Sequence, residues 1–363
     1  MTRKSERKNE DRALLDQILL EAIACEISQL DLEQDKIQGF VKEFIGKAIP
    51  NISNELEASI KINLHAYIKS NKDRKLKFEH RCYRRWKRPV DLLEVLVQTS
   101  QEVGDEINRS CGPRAHIDCD YKFLSLISLH AKAVLVAREA LCLLYGGFPD
   151  GALSRWRSLH EVAVVAKFLS SQDQDIAHRF YGGAAFLNLK AAKSFNNYAN
   201  RTGERPLSDD EMAALEAKCI SLKQQFGWEI KKDYDWASPA LSKDHPTFAD
   251  LERFVSLDHW RPRYRWASQH THAGYRSPSS TLGASEALEP MHVVGQSNSG
   301  FVDPLQMTAL SLNIVTSTIV AIEKSVENAI YLNVLYRLSD EIGSSALRCQ
   351  ETSLQKARKR TGK

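Results

Sequence analysis

One turn of the sequence, residues 155–161, has side chains whose types and spacing suit acid–base chemistry on a phosphate. It reads Arg-Trp-Arg-Ser-Leu-His-Glu, and an apolar run follows it directly. At helical pitch Arg157, His160 and Glu161 share a face, because residues three and four apart are neighbours. A histidine exchanges protons near neutral pH, and an arginine beside it stabilises phosphate oxygens. The pattern predicts either a catalytic site or a buried hydrogen-bonded cluster that joins helices.

A second polar set recurs at steps of four residues: Tyr264, Ser268 and His272. On a helix predicted over residues 261–274 these three side chains lie on one face. This set is open to the same two readings, a site or an interhelical polar network. A hydrolase that uses Ser268 with a histidine is a further reading, although no oxyanion-hole motif accompanies the serine.

Basic residues cluster with aromatic ones in residues 69–88. Such a mixture can hold nucleic-acid phosphates and stack on bases. The competing interpretation is a solvated basic linker whose aromatic side chains pack on the neighbouring domain. The residues predicted to contact nucleic acid are Arg81, Arg84, Arg85, Lys87 and Arg88, and the interleaved aromatics are Phe78, Tyr83 and Trp86.

Composition narrows the class of protein. The values of 43% hydrophobic and 26% charged residues are ordinary for a globular protein, and the net charge of +4 does not by itself imply a nucleic-acid partner. The seven cysteines include no CxxC pair, and no segment reads as a secretory signal. We expect a cytoplasmic protein with no metal, no cofactor and no membrane span.

The apolar periodicity predicts an all-α protein built as a multi-helix bundle. We expect an N-terminal helical region at 1–68, a basic linker at 69–89, a helical core at 90–338 and a basic helix or tail at 339–363. Helices are expected to stop at Pro50 and to break at Gly112-Pro113. Ser208 with Glu211 predicts a capping box, and residues 304–322 predict a buried helix.

Three separated motifs occur in order: residues 157–161, the Ala-His-Arg-Phe-Tyr run at 177–181 that contains Arg179, and residues 264–272. Together they resemble a bacterial family known only as domain-of-unknown-function family number 5677. The resemblance covers about residues 115–335. It implies no activity.

Arg155 and His160, five residues apart, also resemble the short signature of HEPN-type ribonucleases. That resemblance implies a HEPN-like core and a metal-independent ribonuclease, usually acting across a homodimer, in a defence or toxin setting. His160 would be the acid or base, Arg157 or Arg155 the phosphate contact, and Glu161 a further catalytic residue. The residues that would bind substrate or support the pocket are Tyr264, Ser268, His272 and Arg179. On a straight helix Arg155 and His160 lie about 140° apart, so Arg157 is better placed.

The alternative is a catalytically silent helical module that binds a protein partner, with both polar sets as structural networks. Burial discriminates between these hypotheses. Clusters that converge on an open cleft favour a site, whereas enclosed and mutually hydrogen-bonded clusters favour a structural role.

Overall fold

The structure is a computed structural model that describes residues 37–227, 229–274, 277, 280–322 and 325–361. Over these residues the chain is all-α, as predicted, with α-helices, short 3-10 helices and no strand. The first amphipathic segment of the sequence, at about residues 13–30, lies outside the described residues.

Ten α-helices are described. They are α1 (Ile37–Ile117), α2 (Tyr121–Tyr145), α3 (Pro149–Ser170), α4 (Gln174–Thr202), α5 (Asp209–Phe226), α6 (Ser238–Leu241), α7 (Phe248–Phe254), α8 (Arg261–Ser268), α9 (Val302–Val320) and α10 (Val326–Thr361). Short 3-10 helices lie at Asp235–Ala237, Asp258–Trp260 and Leu282–Ala284. None of the helices in the described ranges is both long and apolar enough to cross a membrane.

The chain divides into two compact units, Met1–Lys77 and Phe78–Lys363. The described part of the first unit is the helical stretch 37–77, and the segment expected as a basic linker lies inside α1. The expected helix ends at Pro50 and at Gly112-Pro113 are wrong, because α1 continues through both. A proline removes one backbone donor but leaves the rest of the hydrogen-bond ladder intact. The departure from helical geometry is at Trp86 (φ −101°, ψ 17°), three residues before Pro89, where a proline kink is expected.

Helix α3 forms the centre of the second unit. It packs against α2 and α9 and also touches α7 and α8. Neighbours on several sides explain why its apolar run is buried almost without interruption, unlike a surface helix with one apolar stripe. Its buried residues are Pro149, Ala152, Leu153, Trp156, Leu159, His160, Val162, Ala163, Val164, Val165, Ala166, Phe168 and Leu169.

The part of α1 after Phe78 packs into the same core. The Trp86 ring is fully buried and stacks on Phe301, with ring centroids 5.0 Å apart. Further along, Gly104 lies against the buried His130 ring, and a Cβ at residue 104 would come within 2.3 Å of the His130 Cε1 atom. Only glycine permits this close approach of helix and ring.

One helix start agrees with its local signal in the sequence, and one helix end does not. Ser208 and Glu211 form the predicted capping box, and the predicted buried helix is α9. Helix α8 ends earlier than expected, at Ser268, because the next backbone amides turn back on carbonyls three residues earlier. His272 therefore lies beyond the helix and does not share a helical face with Tyr264 and Ser268.

Candidate functional site

The predicted acid–base residue His160 lies in an enclosed ion-pair network. Its side chain is 1% exposed, and its Nε2 atom lies 3.0 Å from the Oε1 atom of Glu252. Glu252 is itself 0% exposed, and its Oε2 atom is 2.6 Å from the Arg261 guanidinium. The His160 ring also packs against the aromatic rings of Trp156 and Phe248. A histidine enclosed in this way is joined to a protein carboxylate and shut off from solvent.

The other predicted residues of α3 form an adjoining network with α8. Arg157 donates from Nε to the Ser268 hydroxyl (2.8 Å) and from Nη2 to the Tyr264 hydroxyl (2.7 Å). The Tyr264 hydroxyl donates to Glu161, which also pairs with Arg157 at 3.2 Å. The structure thus brings Arg157, Glu161, Tyr264 and Ser268 together, and Glu161 accepts a hydrogen bond from a residue of another helix.

The electrostatics of this network keep its phenol protonated. Burial, with the carboxylate of Glu161 as the next cause, raises the pKa of Tyr264 well above its usual range. Burial likewise raises the pKa of the neighbouring Tyr234. Both phenols remain neutral at physiological pH, and the Tyr264 hydroxyl joins Arg157 to Glu161, so the arrangement suits a rigid joint between α3 and α8 better than proton transfer.

Three predicted residues lie apart from these networks. Arg155 pairs with Glu139 of α2 at 2.5 Å, so it is not directed at His160. Arg179 stacks over the Phe226 ring, 5.4 Å from its centroid. His272 is exposed. Arg155 and His160 are therefore close in the sequence but do not face a common cleft in the folded chain.

Glu252 and Arg261 were missed by the sequence reasoning. The short helix α7 places Phe248, Leu251, Glu252 and Val255 at i, i+3, i+4 and i+7, the spacing of a buried face. A glutamate at such a position needs a buried cationic or hydrogen-bonding partner. That signal was available in the sequence, although the identity of the partner was not.

A basic groove lies in the second unit, between α1 and α10. Its volume is about 870 Å³, and the described residues that line it supply cations, hydroxyl groups, an amide and the Cys349 thiol but no carboxylate. Four of the five residues predicted to bind nucleic acid line it: Arg81, Arg84, Arg85 and Arg88. Helix α10 adds Arg348 and Lys356, which the sequence analysis did not assign to this site.

The arginines of this basic groove divide into paired and unpaired groups. Arg85 holds Glu286 through two contacts of 2.7 and 3.0 Å, and Arg88 pairs with Glu341. Lys87 does not line the groove and pairs with Asp91 at 2.5 Å. Within the described ranges, no carboxylate pairs with the remaining groove cations, which are Arg81, Arg84, Arg348 and Lys356.

The aromatic residues of the basic segment face inward. Trp86 is fully buried and donates to Asn298, and Tyr83 donates to Asp91 and packs near Tyr145. Phe78 packs partly buried against the core. These rings are engaged in contacts within the protein, as the linker interpretation predicted. The groove therefore presents charge but no exposed ring on which a base could stack.

The comparisons with known proteins concern the middle of the chain. A family model described as "Family of unknown function (DUF5677)" matches residues 123–287, which confirms the resemblance over those residues. The matched range contains both polar networks and none of the described residues that line the basic groove. No curated protein and no solved structure matches the chain. The HEPN resemblance finds no support in these comparisons. Among the described side chains, no group of three or more His, Cys, Asp or Glu residues is placed to hold a metal ion.

Proposed function

We propose that this protein binds RNA through the basic groove between α1 and α10 and that it does so without cleaving the RNA. The observation that carries the proposal is the set of four groove cations with no carboxylate partner in the described chain: Arg81, Arg84, Arg348 and Lys356. Cations left unpaired beside hydroxyl groups hold phosphates at little cost, because no internal ion pair has to break first.

The chemistry of the groove favours the sugar–phosphate backbone over the bases. Single-strand binders without sequence preference combine a basic groove with exposed aromatic rings on which bases stack. Here Trp86 and its aromatic neighbours are packed into the core, so affinity depends on charge. The proposal therefore assigns binding that is independent of sequence and strongly sensitive to salt.

Cleavage is left out of the proposal because of the surroundings of His160. A general acid or base has to reach the proton that it transfers. The imidazole of His160 is enclosed and faces Glu252, while Arg155 is held by Glu139. The two polar networks are assigned the structural role of the silent-module hypothesis. A cytoplasmic location, a defence or toxin setting, a homodimer and a protein partner stay predictions.

The test is filter binding of a short RNA of mixed sequence across about 50 to 300 mM salt. Four phosphate contacts on single-stranded RNA give a slope of about −3 in log K against log salt. The double variant Arg84→Gln/Arg348→Gln is expected to lose about half of that slope and at least about tenfold in affinity at low salt.

The matched control removes two lysines outside the groove, in Lys132→Gln/Lys218→Gln. It makes the same change in net charge and is expected to bind as the wild type does. Equal losses in both double variants, or a salt-independent affinity, would contradict the groove as the site. Denaturing gels of the same mixtures check cleavage: RNA cut by the wild type but not by His160→Gln would restore the ribonuclease hypothesis.

A further inference from the structure

The helical stretch of the first unit exposes a continuous apolar face. Six large apolar side chains on it are 40–64% exposed. At 100° per residue they fall within a sector about 120° wide, and the stripe runs for about 27 Å. We call it the apolar stripe, and it consists of Ile49, Ile52, Leu56, Ile60, Leu64 and Tyr67.

The rest of this helix is mostly polar, with Ile62, which is 82% exposed, as the main apolar exception. The face opposite the stripe includes Asn51, Asn54, Ala58 and Lys61. Helices in proteins draw most of their stability from burying an apolar face and not from intrinsic propensity. The six side chains of the stripe are exposed, and contiguous exposed apolar surface of this kind marks an interaction site.

The spacing of the stripe is symmetric along the chain. Successive members are 3, 4, 4, 4 and 3 residues apart, so the pattern reads the same in both directions about residue 58. A second copy of the helix can run antiparallel to the first, with the two-fold axis crossing the stripe at the height of residue 58. Each member of the stripe would then face another member. The facing pairs would be Ile49 with Tyr67, Ile52 with Leu64, and Leu56 with Ile60.

Charge favours the same orientation. Residues 37–57 contain two lysines and three glutamates, a net charge of −1. Residues 58–77 contain five lysines and one arginine against one aspartate, a net charge of +5. In a parallel pair the two copies of residues 58–77, each with a charge of +5, would lie side by side. In an antiparallel pair each of them lies beside residues 37–57, whose charge is −1. Charged flanks of this kind set orientation in helix pairs.

We propose that two copies of this chain associate through the apolar stripe as an antiparallel helix pair, whose two-fold axis crosses the stripe at the height of residue 58. The contact is isologous, because the same surface of each copy meets itself and closes the assembly at two. The occupant of the stripe is therefore a second copy of the chain. This proposal stands on the stripe alone and does not rest on RNA binding.

The first experiment measures the mass of the full chain by sedimentation at micromolar concentration. The wild type is expected to be a dimer. Leu56→Asp/Ile60→Asp puts two charges at the centre of the stripe and is expected to give a monomer. The control Asn54→Asp/Ala58→Asp puts the same charges on the opposite face and should remain a dimer. Circular dichroism checks that all three chains are folded.

The second experiment tests the orientation. Chains with Ile49→Cys and chains with Tyr67→Cys are mixed and oxidised gently, and bridged peptides are identified by mass spectrometry. Antiparallel pairing is expected to give a bridge between positions 49 and 67. A bridge between two copies of position 49 without that product would overturn the orientation. A monomeric wild type would overturn the proposal, and so would a Leu56→Asp/Ile60→Asp variant that stays dimeric.

Discussion

Replacing His160 by alanine separates a structural from a catalytic role for the buried network. The imidazole is 1% exposed and lies 3.0 Å from a carboxylate that is 0% exposed. Losing a buried hydrogen bond to a charged group costs about 1.5–3 kcal/mol. The cavity left by the ring adds about 2 kcal/mol. We therefore expect His160→Ala to lower the free energy of unfolding by about 4 kcal/mol, a large part of what a domain possesses.

The assay is urea unfolding followed by circular dichroism, with RNA binding measured on the folded protein at low temperature. His160→Gln keeps a polar group and more of the volume, so it is expected to lose less stability and to stay folded. His272→Ala is the matched control, because that histidine is exposed, and its change should lie within about 0.5 kcal/mol. Wild-type stability in His160→Ala, or a folded variant that has lost RNA binding, would refute the reasoning.

Three further predictions concern packing, pH and the second network. Gly104→Ala is expected to destabilise the protein by about 1–2 kcal/mol in urea unfolding, because the new Cβ meets the His130 ring at 2.3 Å and overpacking exceeds the gain in helix propensity. Gly112→Ala on the same helix is the control; its Cβ meets only the end of a flexible side chain, so it should be neutral or slightly stabilising. Burial lowers the pKa of His130 to about 4, so the unfolded chain takes up the proton first as the pH falls. The contribution of neutral His130 to the free energy of unfolding is therefore complete above about pH 6.5 and decreases towards pH 4, with a loss of about 2 kcal/mol at pH 5. His130→Gln should remove this part of the pH dependence of stability. Tyr264→Phe removes the hydroxyl that bridges two charged side chains of α3 and is expected to cost about 1–3 kcal/mol; unchanged stability would contradict a structural role for that hydroxyl.

Much of the fold could be predicted from the sequence, because local rules act over a few residues. The apolar periodicity identified the all-α class, the capping box placed the start of α5, and the apolar segment at residues 304–322 predicted the buried helix α9. The errors occurred where a local signal competes with a longer element. Pro50 and Gly112-Pro113 predicted helix ends, yet one missing hydrogen bond does not terminate a helix as long as α1.

What the sequence determined about the site was which residue types occur and where they lie along a helix. It placed Arg157, His160 and Glu161 on one face, and it gathered the arginines of α1 into one basic segment. Only the tertiary structure decided what each of them meets. His160 is enclosed because Glu252 and Arg261, about 90 to 100 residues away, complete its ion-pair network. The basic groove exists because α10 adds Arg348 and Lys356 opposite α1. The physical reason is that helical periodicity acts over four residues, whereas burial and charge pairing depend on which helices pack together.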